Sequence, residues 1–199
     1  MKLNIQLIRH SLTIATENHI YCGSTDLTLN EKGKYLLQKY KAENKYRNDD
    51  VIYTSNMIRV KQTANIIYPN KKIIINNNLN EMDFGDYELH TYNYLIKNDS
   101  SYKAWIEDTT GDISCNNGES INSFINRING AYSEIFAQLC NNHIDIATII
   151  SHGGTIGYFL NQYIKFDNMF KMIPDPGLGY ICTFDFDGNI RLLNYTKIK

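Results

Sequence analysis

The sequence is poor in cysteine and poorer in proline. Its four cysteines, Cys22, Cys115, Cys140 and Cys182, form no C-x-x-C pair, which argues against zinc ribbons and dithiol redox centres and suits a reducing, cytoplasmic location. None is followed six residues on by arginine, those positions holding Thr28, Ile121, Ile146 and Gly188. A cysteine-nucleophile phosphatase loop is thereby excluded. Only three prolines occur, and no Pro/Ser linker, repeat or charge block marks a boundary. One domain over residues 1–199 is therefore expected. There is no basic excess: Lys+Arg is 20 and Asp+Glu is 21, which argues against a nucleic-acid partner. No apolar run approaches the roughly 18 residues of a membrane span. The apolar start runs straight into Arg9, too soon for the h-region of a secretory leader. No G-x-x-x-x-G-K motif exists, so a P-loop is excluded. Gly177-Leu178-Gly179 lacks the helix pattern that a dinucleotide fingerprint needs.

What is present is an alternation of short apolar runs with helical patterns. Leu3 to Ile8 reads as a strand buried on both faces. Asn30 caps a helix expected to reach about Tyr46. Val51 to Thr54 is a strand, Asn56 to Ile67 a helix, and Lys72 to Ile75 a third strand. Residues 86–117 read as polar and irregular, with helical turns around Tyr102 to Ile106, and form a lid-like insertion. Gly118 or Ser120 opens a helix through about Cys140, with Phe124, Ile128 and Ile135 on one face. Ile144 to Ile150 is a buried strand, and Gly153-Gly154 leads into a helix to about Tyr163. Tyr180 to Phe186 and Ile190 to Tyr195 are strands joined by a turn at Asp187-Gly188. The pattern predicts a three-layer α/β/α sandwich around a mostly parallel sheet.

In such sheets ligands sit beyond the carboxyl ends of the strands. The first strand delivers Arg9-His10-Ser11 there. The second delivers Ser55 and, one helical turn on, Arg59. The third leads to Glu81, and the buried strand at Ile150 delivers Ser151-His152-Gly153-Gly154. Two arginines at one site suit a phosphate or carboxylate, because the guanidinium fork matches an oxyanion and stays charged. The helix start after His152 adds backbone N–H donors. An unprotonated histidine nitrogen beside such a pocket can be a nucleophile, and a carboxyl group can protonate a leaving alkoxide. Arginines would supply the charge compensation, so no metal or cofactor is expected.

These residues resemble the histidine phosphatase superfamily, the phosphoglycerate mutase-like family. Arg9-His10-Ser11-Leu12-Thr13 is similar to its R-H-G-x-T signature, and Ser55 to Ala64 to S-x-x-x-R-x-x-Q-T-A. Leu79 to Glu88 resembles L-x-E-x-x-x-G-x-x-E. Gly118-Glu119-Ser120 matches G-E-S, and Ser151 to Gly154 matches S-H-G-G. The resemblance implies His10 as phosphorylated nucleophile, with Arg9, Arg59 and His152 around the phosphate and Glu81 at the acid–base position. It implies substrate contacts at Thr13, Thr16, Tyr21, Cys22, Gly23 and Gly153. Two positions depart from the pattern: Ser11 stands where the family has glycine, and Thr16 where many members have asparagine. Asp83 and Glu88 are rivals to Glu81. Glu88 is read as satisfying backbone donors in its own loop.

The stretch Leu79 to Glu88, with Tyr102 to Trp105 and Asn117 to Glu119, is most similar to the α-ribazole-5′-phosphate phosphatase subgroup of cobalamin nucleotide-loop assembly. The alternatives are another small-molecule phosphatase (fructose-bisphosphatase-like or of broad specificity), a phosphoglycerate mutase, or a phosphoester-binding module without turnover. The implied partner is a small phosphate monoester, and a homodimer is compatible with the sequence. The aromatic cluster Tyr87, Tyr92, Tyr94, Tyr102 and Trp105 reads equally as a satellite core or as a lid that stacks on a flat leaving group. His19, His90 and His143 read as surface or loop residues.

Overall fold

The computed structural model describes residues 1–164 and 169–199. Six strands form one sheet: β1 (Lys2–Arg9), β2 (Ile52–Thr54), β3 (Ile73–Ile75), β4 (Ile146–Ser151), β5 (Gly179–Phe186) and β6 (Ile190–Lys197). Their order is β3-β2-β4-β1-β5-β6. The first four run parallel, and β5 and β6 add an antiparallel edge. Helices α1 (Ile14–Glu17), α2 (Glu31–Ala42) and α3 (Ile58–Ile67) follow β1 and β2. Helices α4 (Tyr92–Asn98), α5 (Ser100–Glu107) and α6 (Ile121–Asn141) lie between β3 and β4, and α7 (Gly153–Ile164) follows β4.

Side-chain alternation along a strand gives the sheet two faces. Leu3, Ile5 and Leu7 of β1 pack with Phe124, Ile128 and Phe136 of α6 and with Phe159 of α7. Ile8 points the other way, into a second cluster with Leu37 of α2 and Val60 and Ala64 of α3. Helices thus cover both faces of the sheet, giving the expected three layers. Gln6, on the second face, is completely buried. Its amide donates to Tyr68 Oη at 2.7 Å and to Thr148 Oγ1 at 3.1 Å, which offsets the cost of burying it.

Two segments differ from the sequence reading. Helix α2 ends at Ala42 rather than near Tyr46, because Asn44 turns into the left-handed region at φ 55° and Lys45 N–H closes the turn on the Tyr40 carbonyl. Residues 86–117 are not irregular throughout. Thr91 caps α4 by accepting from Tyr94 N–H, and Asp99 caps α5 by accepting from Ser101 and Tyr102 N–H. The Thr and Asp caps are the signal that polar composition hid. Isolated bridges, Ile20 with Thr91 and Ser114 with Ser120, link this segment to its surroundings.

Candidate active site

The site is built by strand register. Arg9 of β1 pairs with Ser151 of β4, so His10 and His152 leave adjacent parallel strands side by side. Their ring centroids are 5.2 Å apart at 69°, and His10 N–H donates to the Ser151 carbonyl at 2.9 Å. Strand β2 flanks β4 on its other side, with Thr54 opposite Ile150. It delivers Ser55, whose Oγ lies 2.8 Å from His152 Nε2.

His10 Nδ1 lies 2.7 Å from the Ser11 carbonyl oxygen. A carbonyl can only accept, so Nδ1 carries the proton and Nε2 of the neutral ring keeps a free lone pair. Burial, then the charges of Arg59 and Arg9, hold the His10 pKa well below its ordinary value. Burial and the same arginines depress His152 likewise. Ser11, the departure from the family glycine, is fully buried and sends its hydroxyl to the Gly33 carbonyl at 2.9 Å. Its side chain is therefore tied to the start of α2.

Arg59 is 1% exposed. It donates to the carbonyls of Thr25 (2.9 Å) and Gly23 (2.8 Å). The N–H groups of that same loop go to Glu88, at 2.9 Å from Gly23, 2.6 Å from Ser24 and 2.7 Å from Thr25. Burial pushes the Glu88 carboxyl up, but the hydrogen bonds from Thr25 and Ser24 outweigh it and leave the pKa lowered. Glu88 is thus a clasp for the loop that holds Arg59. Gly23 is required there because a Cβ would fall 1.6 Å from the Met82 carbonyl oxygen. Arg9 donates to the Pro174 carbonyl at 2.9 Å, while its buried Nε has no hydrogen-bond partner among the described residues.

Glu81 accepts from Gly154 N–H at 2.8 Å and from Met82 N–H at 3.1 Å. Burial raises its pKa, against those two bonds and the charges of Arg59 and Arg9. A buried carboxyl with a raised pKa is suited to give and recover a proton.

These groups share the wall of a cavity of about 740 Å³. Arg9, His10, Thr16, Tyr21, Cys22, Arg59, Glu81 and Gly153 all line it. His152 lies behind His10 and is completely buried. Thr13 and Gly23 are not on the wall. Thr13 caps α1 by accepting from Thr16 N–H, and Gly23 is packed beneath Met82. The upper wall is aromatic, with Tyr21, Phe84, Tyr92, Tyr102, Trp105 and Tyr158. Tyr87, Tyr102 and Trp105 are buried in the same cluster as Leu3, Ile5 and Phe124, so residues 86–117 extend the main core rather than forming a satellite, and the edge of that core is also the cavity wall. The sequence reading missed Gly154, His19 and Tyr158 as wall residues. Gly154 stood inside a matched block, whereas His19 carried no ligand spacing and Tyr158 no signal beyond helical periodicity.

This charged floor, with two histidines, two arginines and a buried carboxyl at strand ends, defines a phosphate-ester site, and the family model for the histidine phosphatase superfamily (branch 1) matches residues 5–194. The chain belongs to that superfamily and is a phosphatase. It is 28% identical over 166 residues to the adenosylcobalamin/alpha-ribazole phosphatase of Salmonella typhimurium, covering 81% of this chain and 80% of that one. It superposes on the crystal structure of the alpha-ribazole phosphatase from Shigella flexneri with a TM-score of 0.78 and 26% identity, over 97% of this chain and 95% of the other. A phosphoserine phosphatase from Entamoeba histolytica shares the fold, with a TM-score of 0.73 and 24% identity over 98% and 96% of the chains. Among the described residues no helix is long and apolar enough to cross a membrane, and no group of three or more His, Cys, Asp or Glu could hold a metal ion.

Proposed function

We propose that the protein hydrolyses a phosphate monoester through a phosphohistidine, without a metal ion, and that its substrate is α-ribazole 5′-phosphate or a close analogue. The observation that carries the chemical step is the His10 ring, with Nδ1–H committed to the Ser11 carbonyl and Nε2 free. Nε2 attacks phosphorus in line, and the ester P–O bond breaks. The leaving oxygen takes the proton of Glu81. Water then gives a proton to the Glu81 carboxylate and attacks phosphorus. The N–P bond breaks, releasing phosphate and the neutral ring. Arg9 and Arg59, on the cavity wall, stabilise the non-bridging oxygens through both steps, the electrostatic share of catalysis, while His152 packs edge-on against the His10 ring from behind.

The aromatic wall supports the substrate assignment. Flat rings stack well on Tyr and Trp faces. Among the described wall residues, the basic groups are Arg9, Arg59, His10 and His19. The first three belong to the phosphate, which leaves little to pair with a carboxylate on the leaving group. Phosphoserine and phosphoglycerates are accordingly expected to be poor substrates. Segment 86–117 acts in this reading as the wall that selects the leaving group. The test is a phosphoester panel with α-ribazole 5′-phosphate, phosphoserine and 3-phosphoglycerate, together with trapping of labelled phosphate on His10. Highest kcat/KM for α-ribazole 5′-phosphate and an acid-labile label on His10 are expected. A preference for a carboxylated ester would overturn the substrate, and an acid-stable label the mechanism.

A further inference from the structure

Glu81 sits on a loop, not on a regular element, yet its carboxyl must be held to within a fraction of an ångström to protonate a leaving oxygen. What holds that loop is a side chain from α6 outside every motif discussed above. Arg127 donates through Nη1 to the carbonyls of Asn78 (3.0 Å) and Asn80 (2.9 Å), and through Nη2 to the carbonyl of Glu81 itself (3.1 Å). The other side of its guanidinium forms a two-point pair with Glu119, Nε to Oε1 at 2.8 Å and Nη2 to Oε2 at 2.6 Å. Glu119 Oε2 also accepts from Asp83 N–H at 3.0 Å, and Glu119 N–H donates to the Asp83 carbonyl at 2.8 Å. The chain is thus pinned on both sides of Glu81, at Asn80 and at Asp83, by one ion pair.

From this geometry we infer that Arg127 and Glu119 are a positioning pair for the proton donor, acting on Glu81 through its backbone and touching neither phosphate nor leaving group. The inference rests on Glu81 being the acid, as proposed above. The planar fork is essential to it. A guanidinium can serve three carbonyls and a carboxylate at once, whereas an ammonium has three donors and no fixed plane. Charge alone would not restore the site. The expected signature is selective. An ester with a poor leaving group needs the proton, whereas p-nitrophenolate departs without it.

The experiment compares wild type, Arg127→Lys, Glu119→Gln, Glu81→Gln and the Arg127→Lys/Glu81→Gln double variant on an alkyl phosphate and on p-nitrophenyl phosphate, under conditions where the absence of a burst of leaving group shows phosphorylation to be rate-limiting. Arg127→Lys is expected to lower kcat on the alkyl ester by about tenfold to a hundredfold, the cost of an ångström-scale misplacement. KM should be unchanged, and p-nitrophenyl phosphate should lose less than about threefold. In the Glu81→Gln background Arg127→Lys should have no further effect, since the group it positions is gone. Equal losses on the two esters, or losses that multiply in the double variant, would overturn the positioning role. Glu119→Gln keeps the shape and removes the charge, so it carries the same readings should Arg127→Lys fail to fold. If Glu81→Gln itself shows no leaving-group selectivity, the proton donor has been misassigned. Normal Glu81→Gln selectivity with an additive Arg127→Lys loss refutes the positioning pair alone.

Discussion

Replacing Gly154 by alanine separates the stability of the fold from its proton transfer. Gly154 lies in the first turn of α7, and its backbone is not in the left-handed region. An alanine therefore suits the helix, and its propensity gain of about 1 kcal/mol offsets part of the loss at Glu81, so the melting temperature should fall by no more than a few degrees. The added Cβ, however, would fall 2.4 Å from Glu81 Oε1 and 3.1 Å from Oε2, where ordinary contact begins at 3.4 Å. The carboxyl group must retreat by about 1 Å and give up or stretch the 2.8 Å bond from Gly154 N–H. A hydrogen bond to a charged group contributes about 1.5–3 kcal/mol, and a 1 Å displacement costs about a hundredfold in rate. Both scales put the loss in kcat/KM on an alkyl phosphate at about tenfold to a hundredfold. Steady-state kinetics on an alkyl ester and on p-nitrophenyl phosphate, beside thermal melting, would read all three quantities. Wild-type turnover of the alkyl ester by a folded Gly154→Ala protein would refute the placement of Glu81 as proton donor.

His10→Ala should abolish turnover on every ester while leaving the melting temperature within a few degrees, and residual phosphate transfer to protein in that variant would exclude His10 as the nucleophile. EDTA should leave the rate within about tenfold, which is about 1.4 kcal/mol of barrier; a larger loss restored by a divalent cation would show a metal role. Stability should fall as pH drops below 6.5, the ordinary histidine value from which both His10 and His152 are depressed. In that window the unfolded chain binds more protons than the native one, at a cost on the order of 1 kcal/mol per pH unit for each histidine. Glu81, raised on folding, works in the opposite sense as one group against two. Thermal melts from pH 7.5 to 5 check the slope, which a His152→Asn substitution should flatten; an unaltered slope in that variant would contradict the assignment.

The floor of the site was legible because it follows from topology. Strands with continuous apolar runs announce a parallel sheet, and residues just past their ends must converge. Arg9, His10, Arg59, Glu81 and His152 are brought together for that reason. Glu88 was also readable, since a carboxylate in a polar loop commonly serves backbone N–H groups, as it does for Gly23, Ser24 and Thr25. The substrate-facing wall was less legible. Whether Tyr92, Tyr102 and Trp105 face a core or a cavity depends on how α4 and α5 turn, and their caps at Thr91 and Asp99 are single residues in a polar stretch. Thr13 shows the reverse problem: its position within the histidine signature suggests substrate, yet its hydroxyl caps α1. Arg127 had no signal at all, because its partners are mostly backbone carbonyls remote in sequence.

The two parts of the site also differ in how they are fastened. The phosphate floor hangs on the β1–β4 ladder in the middle of the sheet, whose bonds can open only with the sheet itself. Residues 86–117 add no strand to the sheet and are held by isolated bridges, by the Glu88 bonds to Gly23, Ser24 and Thr25, and by the edge of the core to which their aromatic side chains belong. Amide hydrogen exchange should accordingly be slowest at Leu7, Ile8 and Ile149 and much faster in α4 and α5, as sub-global opening of the less anchored unit predicts. In mild denaturant, discrimination between large aromatic esters and small ones should disappear while hydrolysis of a small ester persists. The chemistry and the choice of substrate would then be lost at different denaturant concentrations, although both depend on one cavity.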